Sequence, residues 1–190
     1  MSNIILGMPD KPTRVWELKV PIIKNGDTTT VYMTNEIGEP YEYNELLYTL
    51  SLALPTETII IVINTPGGAL DSTISIISAI KSCKAKTIAY VTGSVASAGT
   101  MIATSCDELV VDDHTGFMVH TYSTQTGGKG QEVRAQQLFM EKSTKLLMED
   151  VYAGLLTRAE LKRLINGEDF WFTKGELLTR WDKRQKHLEK

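Results

Sequence analysis

The chain has 190 residues, 42% hydrophobic and 23% charged, with a formal net charge of −3. That length suits one domain with a core large enough to need no staples, and the composition is that of a soluble globular protein. The acidic balance argues against the clustered basic face of a nucleic-acid binder, and no apolar run approaches the roughly 18 residues of a membrane span.

Residues 1–14 carry two prolines and a glycine and read as an irregular arm. Pro9, Asp10, Lys11 and Pro12 fall where a signal peptide needs its apolar core, so export is not expected. Val15–Ile23 and Thr28–Thr34 are β-rich and flank Asn25-Gly26, a dipeptide suited to a tight hairpin turn. Leu46, Leu47, Leu50 and Leu54 recur at helical spacing and predict a helix over Tyr41–Leu54, ended by Pro55.

Thr58–Ile63 is an unbroken apolar run, which predicts a parallel strand buried on both faces. Ile74, Ile77 and Ile80, widened by Ile76 and Ala79, mark a helix to about Ser82. Thr87–Val91 is the next strand, followed by a short helix of small residues over Ser97–Ser105. Glu108–Val111 and Gly116–Val119 are two further short strands. Thr121–Gly130 is polar and glycine-rich and reads as a surface loop. The longest helix runs from Gln131 to about Tyr152, through Leu138, Phe139, Lys142, Lys145, Leu146 and Glu149. Its apolar content is modest, so part of it is expected to lie against another subunit.

Thr157 with Glu160, and Thr173 with Glu176, are capping-box patterns opening a helix to about Ile165 and a last short helix. Lys183–Lys190 reads as a frayed charged tail. Strand and helix alternate, which indicates an α/β domain built from repeated turns. Cys83 and Cys106 lack the spacing of a metal or redox site and read as two buried thiols of a cytoplasmic protein.

Two glycine-bearing turns concentrate the chemistry. Asn64-Thr65-Pro66-Gly67-Gly68 follows the first apolar strand, and Gly93-Ser94-Val95-Ala96-Ser97-Ala98-Gly99-Thr100 follows the second. Each opens a helix, where unpaired N–H groups and the dipole favour negative charge. Side by side, the two turns could hold an oxyanion, and Ser97 stands in one of them among small neighbours. A serine needs a base to become a nucleophile. Of the three histidines, His187 falls in the charged tail and His114 in a turn after Asp112-Asp113, whereas His120 ends the strand Phe117-Met118-Val119. Ser94 is a rival nucleophile placed earlier in the turn. Singly, Ser97 also reads as a helix-start residue and His120 as an ordinary strand-end histidine.

Taken together and in order, Asn64-Thr65-Pro66-Gly67-Gly68, Gly93-x-x-Ala96-Ser97-x-Gly99 and Met118-Val119-His120 resemble the proteolytic subunit family of the Clp proteases. That family carries I-N-S-P-G-G, G-x-A-A-S-M-G-A and M-I-H-Q-P. The likeness runs from about residue 30 to 178, through Gly127-Gly128-x-Gly130-Gln131 and Trp171-Phe172-Thr173. It implies the ClpP/crotonase-like spiral of strand–strand–helix units with a protruding handle helix over about 131–153. It also implies a divergent arm and hairpin over 1–30, a peptidase domain over 31–180 and a charged tail over 181–190.

The resemblance makes Ser97 the nucleophile, His120 the general base and acid, and the Gly68 and Ala98 amides the oxyanion hole, with Gly127 and Gly128 beside the bound peptide. The family's third member, an aspartate, aligns on Ile165 or Asn166 depending on a one-residue gap; Asn166 and Asp169 are the two candidates. Ala98 replaces a methionine, and Thr121-Tyr122 replaces Gln-Pro. The expected substrate is a peptide or unfolded protein, cleaved without metal or cofactor inside heptameric rings, two of which stack. A Clp-type ATPase is the family's partner, but the amino end that meets it there has no clear counterpart here. The compact form also suits phage-encoded relatives acting in a host cytoplasm. Two other readings are a crotonase-like enzyme on acyl-CoA thioesters, which needs two backbone donors but no serine–histidine pair, and a non-catalytic ring scaffold.

Overall fold

The β-branched run Thr58–Ile63 becomes part of an eight-residue strand in the middle of a seven-stranded sheet. A computed structural model describes residues 19–123 and 127–189. The predicted arm over 1–14, the start of the predicted Val15–Ile23 strand, and residues 124–126 of the predicted surface loop lie outside the described residues. In chain order the strands are β1 (Ile22–Asn25), β2 (Thr28–Met33), β3 (Thr58–Thr65), β4 (Lys86–Ala96), β5 (Glu108–Val111), β6 (Gly116–Val119) and β7 (Phe170–Phe172). The helices are α1 (Asn44–Leu52), α2 (Leu70–Ser82), α3 (Ala98–Thr104), α4 (Gly130–Val151), α5 (Arg158–Ile165) and α6 (Lys174–Leu188).

The sheet order is β1-β2-β3-β4-β6-β7, with β5 also on β4. The inner pairings are parallel, and the antiparallel pairs β1–β2 and β6–β7 close the two ends. β4 changes partner along its length: Ile88–Val91 pair with β5, and Ser94–Ala96 pair with β6. In the β1–β2 hairpin Asn25 pairs with Thr28, so the two-residue turn is Gly26-Asp27, one residue later than the dipeptide signal suggests. Gly26 takes a φ of 59°, which places glycine at the first turn position.

Ile59, Ile61 and Ile63 of β3, with Ala89 and Val91 of β4, point into the main core and are fully enclosed. Ile60, Val62 and Tyr90 on the opposite face are only half-buried. Burial on both faces, expected from the apolar run, is therefore complete on one side only. α1 is shorter than predicted because Pro40–Tyr43 form a 3-10 turn ahead of it, and Leu54 lies beyond its end, exposed. α4 buries only Thr144, Met148 and Val151, all in its second half. Leu138, Phe139 and Leu146 along it face outward.

Both predicted capping boxes form, at Thr157/Glu160 and Thr173/Glu176. α6 is the larger surprise. It runs through the charged stretch to Leu188, because that stretch is amphipathic rather than merely charged: Leu177, Trp181 and Arg184 are buried along one side. Arg184 donates to the carbonyls of Thr104 (2.8 Å) and Ala153, tying α6 to the end of α3. Arg180 makes a two-point contact with Glu160 at 2.7 and 3.1 Å and lies over the Phe172 ring. That contact clamps α5 and β7 to α6.

The same guanidinium pulls the Glu160 carboxyl from 4.5 down to about 2. A depressed folded-state pKa contributes stability above the ordinary carboxylate value and loses it as pH falls toward the folded one. Thermal melts between pH 4.5 and 2 should therefore show a steeper fall in Tm for the native chain than for Glu160→Gln. Equal slopes would mean that the clamp contributes nothing.

Candidate active site

The end of β4 turns into α3 at Ser97, whose backbone sits at φ 54° and ψ −124°. A residue with a Cβ reaches that region only under strain, of order 1–3 kcal/mol, and such strain persists where the surroundings fix it. Here they do. The Ser97 amide donates to the Met118 carbonyl of β6 at 2.9 Å, and Thr100 Oγ1 donates to the Ser97 carbonyl at 2.6 Å. Because the Thr100 hydroxyl spends its proton there, the Tyr152 hydroxyl 2.7 Å away is the donor to Thr100. Tyr152 is fully enclosed, and burial raises its pKa far above the phenol range, so it stays a donor.

The first turn presses directly on this one. A Cβ placed on Gly67 would lie 2.7 Å from the Ser97 Cβ and 3.0 Å from the Ala98 nitrogen. Gly67 and Gly68 adopt φ of 102° and 146°, which side chains rarely follow. Residues 35–38 run alongside: the Ile37 amide donates to Gly67 O and its carbonyl accepts from Ala69 N, both at 2.7 Å. Thr65 Oγ1 donates to the Asn35 carbonyl at 2.7 Å and accepts from the Gly67 amide at 3.1 Å. Asn64 Oδ1 accepts from Ser94 N at 3.2 Å, stitching the first turn to β4. Among the described residues the amides of Gly68 and Ala98 have no such hydrogen bond, Ala98 being the first residue of α3, where N–H groups lack intrahelical partners.

His120 directly follows β6. Ala96 pairs with Met118, and the Ser97–Met118 bond continues that ladder toward His120. Across the sheet Val119 pairs with Phe170 and Met118 with Trp171; the ladder ends there, and His120 and Asp169 are the next residue on either strand. Asn166 ends α5 and lines a cavity with Thr121 and Tyr122, the two residues after His120. Among the described residues no hydrogen bond joins the His120 ring to the Ser97 hydroxyl, Asp169 or Asn166.

The remaining candidates stand apart from this group. Ser94 stays in β4, paired with Gly116. His114 occupies an exposed turn, and His187 packs on Gly154 from α6. Gly127 and Gly128 precede α4 in the open; a Cβ on Gly127 would meet nothing, and one on Gly128 only Glu132 and Val133. Cys106 is fully enclosed and its thiol is pushed up to about 12, which leaves it inert. Sequence reasoning missed the Ile37 segment and the Thr100–Tyr152 relay. Neither leaves a local signature, because each acts across more than 25 residues of chain.

Over 160 residues the chain is 28% identical to the ATP-dependent Clp protease proteolytic subunit 1 of Protochlamydia amoebophila (strain UWE25), covering 80% of this chain and 77% of that protein. The Clp protease family model matches residues 25–173, a span that holds both glycine turns, the β6 strand end and the Asn166–Asp169 loop. The chain therefore belongs to the Clp protease family, and its activity class is that of a peptidase.

Proposed function

We propose that this peptidase is a serine endopeptidase that works through an acyl-enzyme, with Ser97 as nucleophile. The observation that carries the reading is the strained Ser97 turn, held against Gly67 beside two amides that have no hydrogen-bond partner among the described residues. Strain at a serine has no use in a crotonase-like thioester enzyme, which needs only the two amides.

His120 removes the Ser97 hydroxyl proton as the oxygen attacks the peptide carbonyl, then returns it to the leaving amine. The Gly68 and Ala98 N–H groups hold the oxyanion, each contributing about a hundred- to a thousandfold. Water repeats the cycle to release the acyl group. Hydrogen bonds between such residues are often long in an empty site and shorten around the substrate. Asp169 is our choice of third member: it adjoins Phe170, the strand partner of Val119, and its carboxylate can stabilise the imidazolium as an amide cannot. Asn166 is retained as the alternative because it lines the cavity beside Thr121. Gly127 and Gly128 flank the extended peptide. The chain acts on peptides or unfolded proteins in the cytoplasm without a cofactor, as heptameric rings that stack through α4. The outward row Leu138, Phe139 and Leu146 supports that contact. A Clp-type ATPase would be the external partner.

The test is covalent. A fluorophosphonate probe should label one serine per chain, Ser97, and labelling should vanish in Ser97→Ala. Asp169→Asn should lower kcat by roughly 10²–10⁴-fold, with Asn166→Ala changing it little. The reverse pattern would transfer the role to Asn166. Absence of labelling, with no peptide turned over, would leave the non-catalytic ring subunit.

A further inference from the structure

We propose that Thr100 and Tyr152 are positioning residues for the oxyanion hole. A hydrogen-bond chain from the end of α4, running from Tyr152 through Thr100 to the Ser97 carbonyl, sets the direction of the Ala98 N–H. This rests on the serine-peptidase reading and adds to it two residues that take no part in the attack itself.

The Ser97 carbonyl and the Ala98 amide are the two ends of one peptide unit. Such a unit is planar and trans, so its C=O and N–H point in opposite directions and turn together about the line joining the flanking Cα atoms. Whatever holds the oxygen therefore aims the hydrogen. The Ser97 oxygen accepts from Thr100 Oγ1 at 2.6 Å, from the Thr100 amide at 2.9 Å and from the Met101 amide at 3.4 Å. At the other end of the unit, the Ala98 N–H has no hydrogen-bond partner among the described residues.

The hydroxyl makes the shortest of the three contacts, and it alone is backed by a second side chain. Tyr152 Oη lies 2.7 Å from Thr100 Oγ1 and donates to it. Both residues are wholly enclosed, which keeps solvent from competing along the chain. Hydrogen bonds in series polarise one another, and a carbonyl that accepts strongly leaves its own amide a stronger donor. The chain thus both aims and strengthens the N–H that meets the developing oxyanion. The φ of 54° at Ser97 makes such a hold necessary, because a backbone in a sparsely populated region relaxes unless its surroundings over-determine it.

The rate at which a fluorophosphonate labels Ser97 in the full chain tests this, since the probe's phosphoryl oxygen takes the oxyanion position as the bond to serine forms. Thr100→Val should lower the limiting rate, kinact, by about ten- to a hundredfold and leave KI within about twofold, the split expected when only the transition state loses a contact. Thr100→Ser keeps the hydroxyl and should recover most of the rate. Thr100→Val also strands the enclosed Tyr152 hydroxyl and should lower Tm. Adding Tyr152→Phe removes the stranded group, so the double variant should melt closer to the native chain yet label as slowly as Thr100→Val. A pair with a purely structural role would instead regain rate and Tm together. The double variant also serves if Thr100→Val fails to fold. A kinact unchanged in Thr100→Val, or one that returns with Tm in the double variant, overturns the proposal. A native chain that the probe does not label at Ser97 removes the serine reading and this inference with it. Equal labelling of the native chain and Thr100→Val removes this inference alone.

Discussion

Ser97→Ala should reduce kcat for peptide hydrolysis by roughly 10⁴-fold or more, because the nucleophile and base act as one unit. Ser97→Gly should be equally inactive and also more stable. Alanine keeps the Cβ and hence the unfavourable φ of 54°, whereas glycine occupies that region freely. Release of roughly 1–3 kcal/mol of strain, less the roughly 0.4–1 kcal/mol by which glycine loosens the unfolded chain, leaves a net gain of about 1 kcal/mol. Chemical denaturation of the three proteins checks the order, with Ser97→Gly expected to unfold last. A glycine variant no more stable than the alanine variant would show that the turn stores no strain.

Gly68→Ala should damage stability and chemistry together. The added methyl would sit 2.0 Å from the Ile37 carbonyl oxygen, and the φ of 146° already disfavours it. Backbone blocks the space, so no flexible side chain can move aside. Relief requires displacing residues 35–38, which breaks the two 2.7 Å bonds linking Ile37 to Gly67 and Ala69. Two lost hydrogen bonds and the backbone strain together cost roughly 3–5 kcal/mol. The Gly68 amide would also leave its position, at about a hundred- to a thousandfold in turnover. Gly127→Ala is the control: a Cβ there meets nothing, so its stability should stay within about 0.5 kcal/mol of the native chain. If Gly68→Ala melts with the native protein, the Ile37 segment is not the rigid backing it appears in the structure.

Much of this architecture could be read from residue patterns. β3 and β4 announce themselves by apolar runs, and α5 by a capping box whose two bonds both form. These signals are local, and local physics decides them. The two glycine turns and Ser97 are legible in the local pattern and again as three motifs in order, and the φ of 102° at Gly67 explains why only glycine serves there. What escaped was non-local. α6 looked like a tail because five of the last eight residues are charged, yet Arg184 is enclosed and bonded to carbonyls 80 and 31 residues away. No window of sequence holds that information. The standing of Asp169 rests likewise on strand register, since β7 pairs with β6 across some fifty residues. Alignment alone, working on spacing, favours Asn166.

The change of partner along β4 has a thermodynamic corollary. Its first half is locked between β3 and β5, and its last residues are held by β6 immediately before Ser97. The nucleophile is thus anchored by β3 and β6 in the middle of the sheet, just past a register shift in β4 where Gly93 takes a φ of 63°. Fluctuations that open the site would have to unzip the middle of the molecule, so the serine's geometry should endure for as long as the protein remains folded.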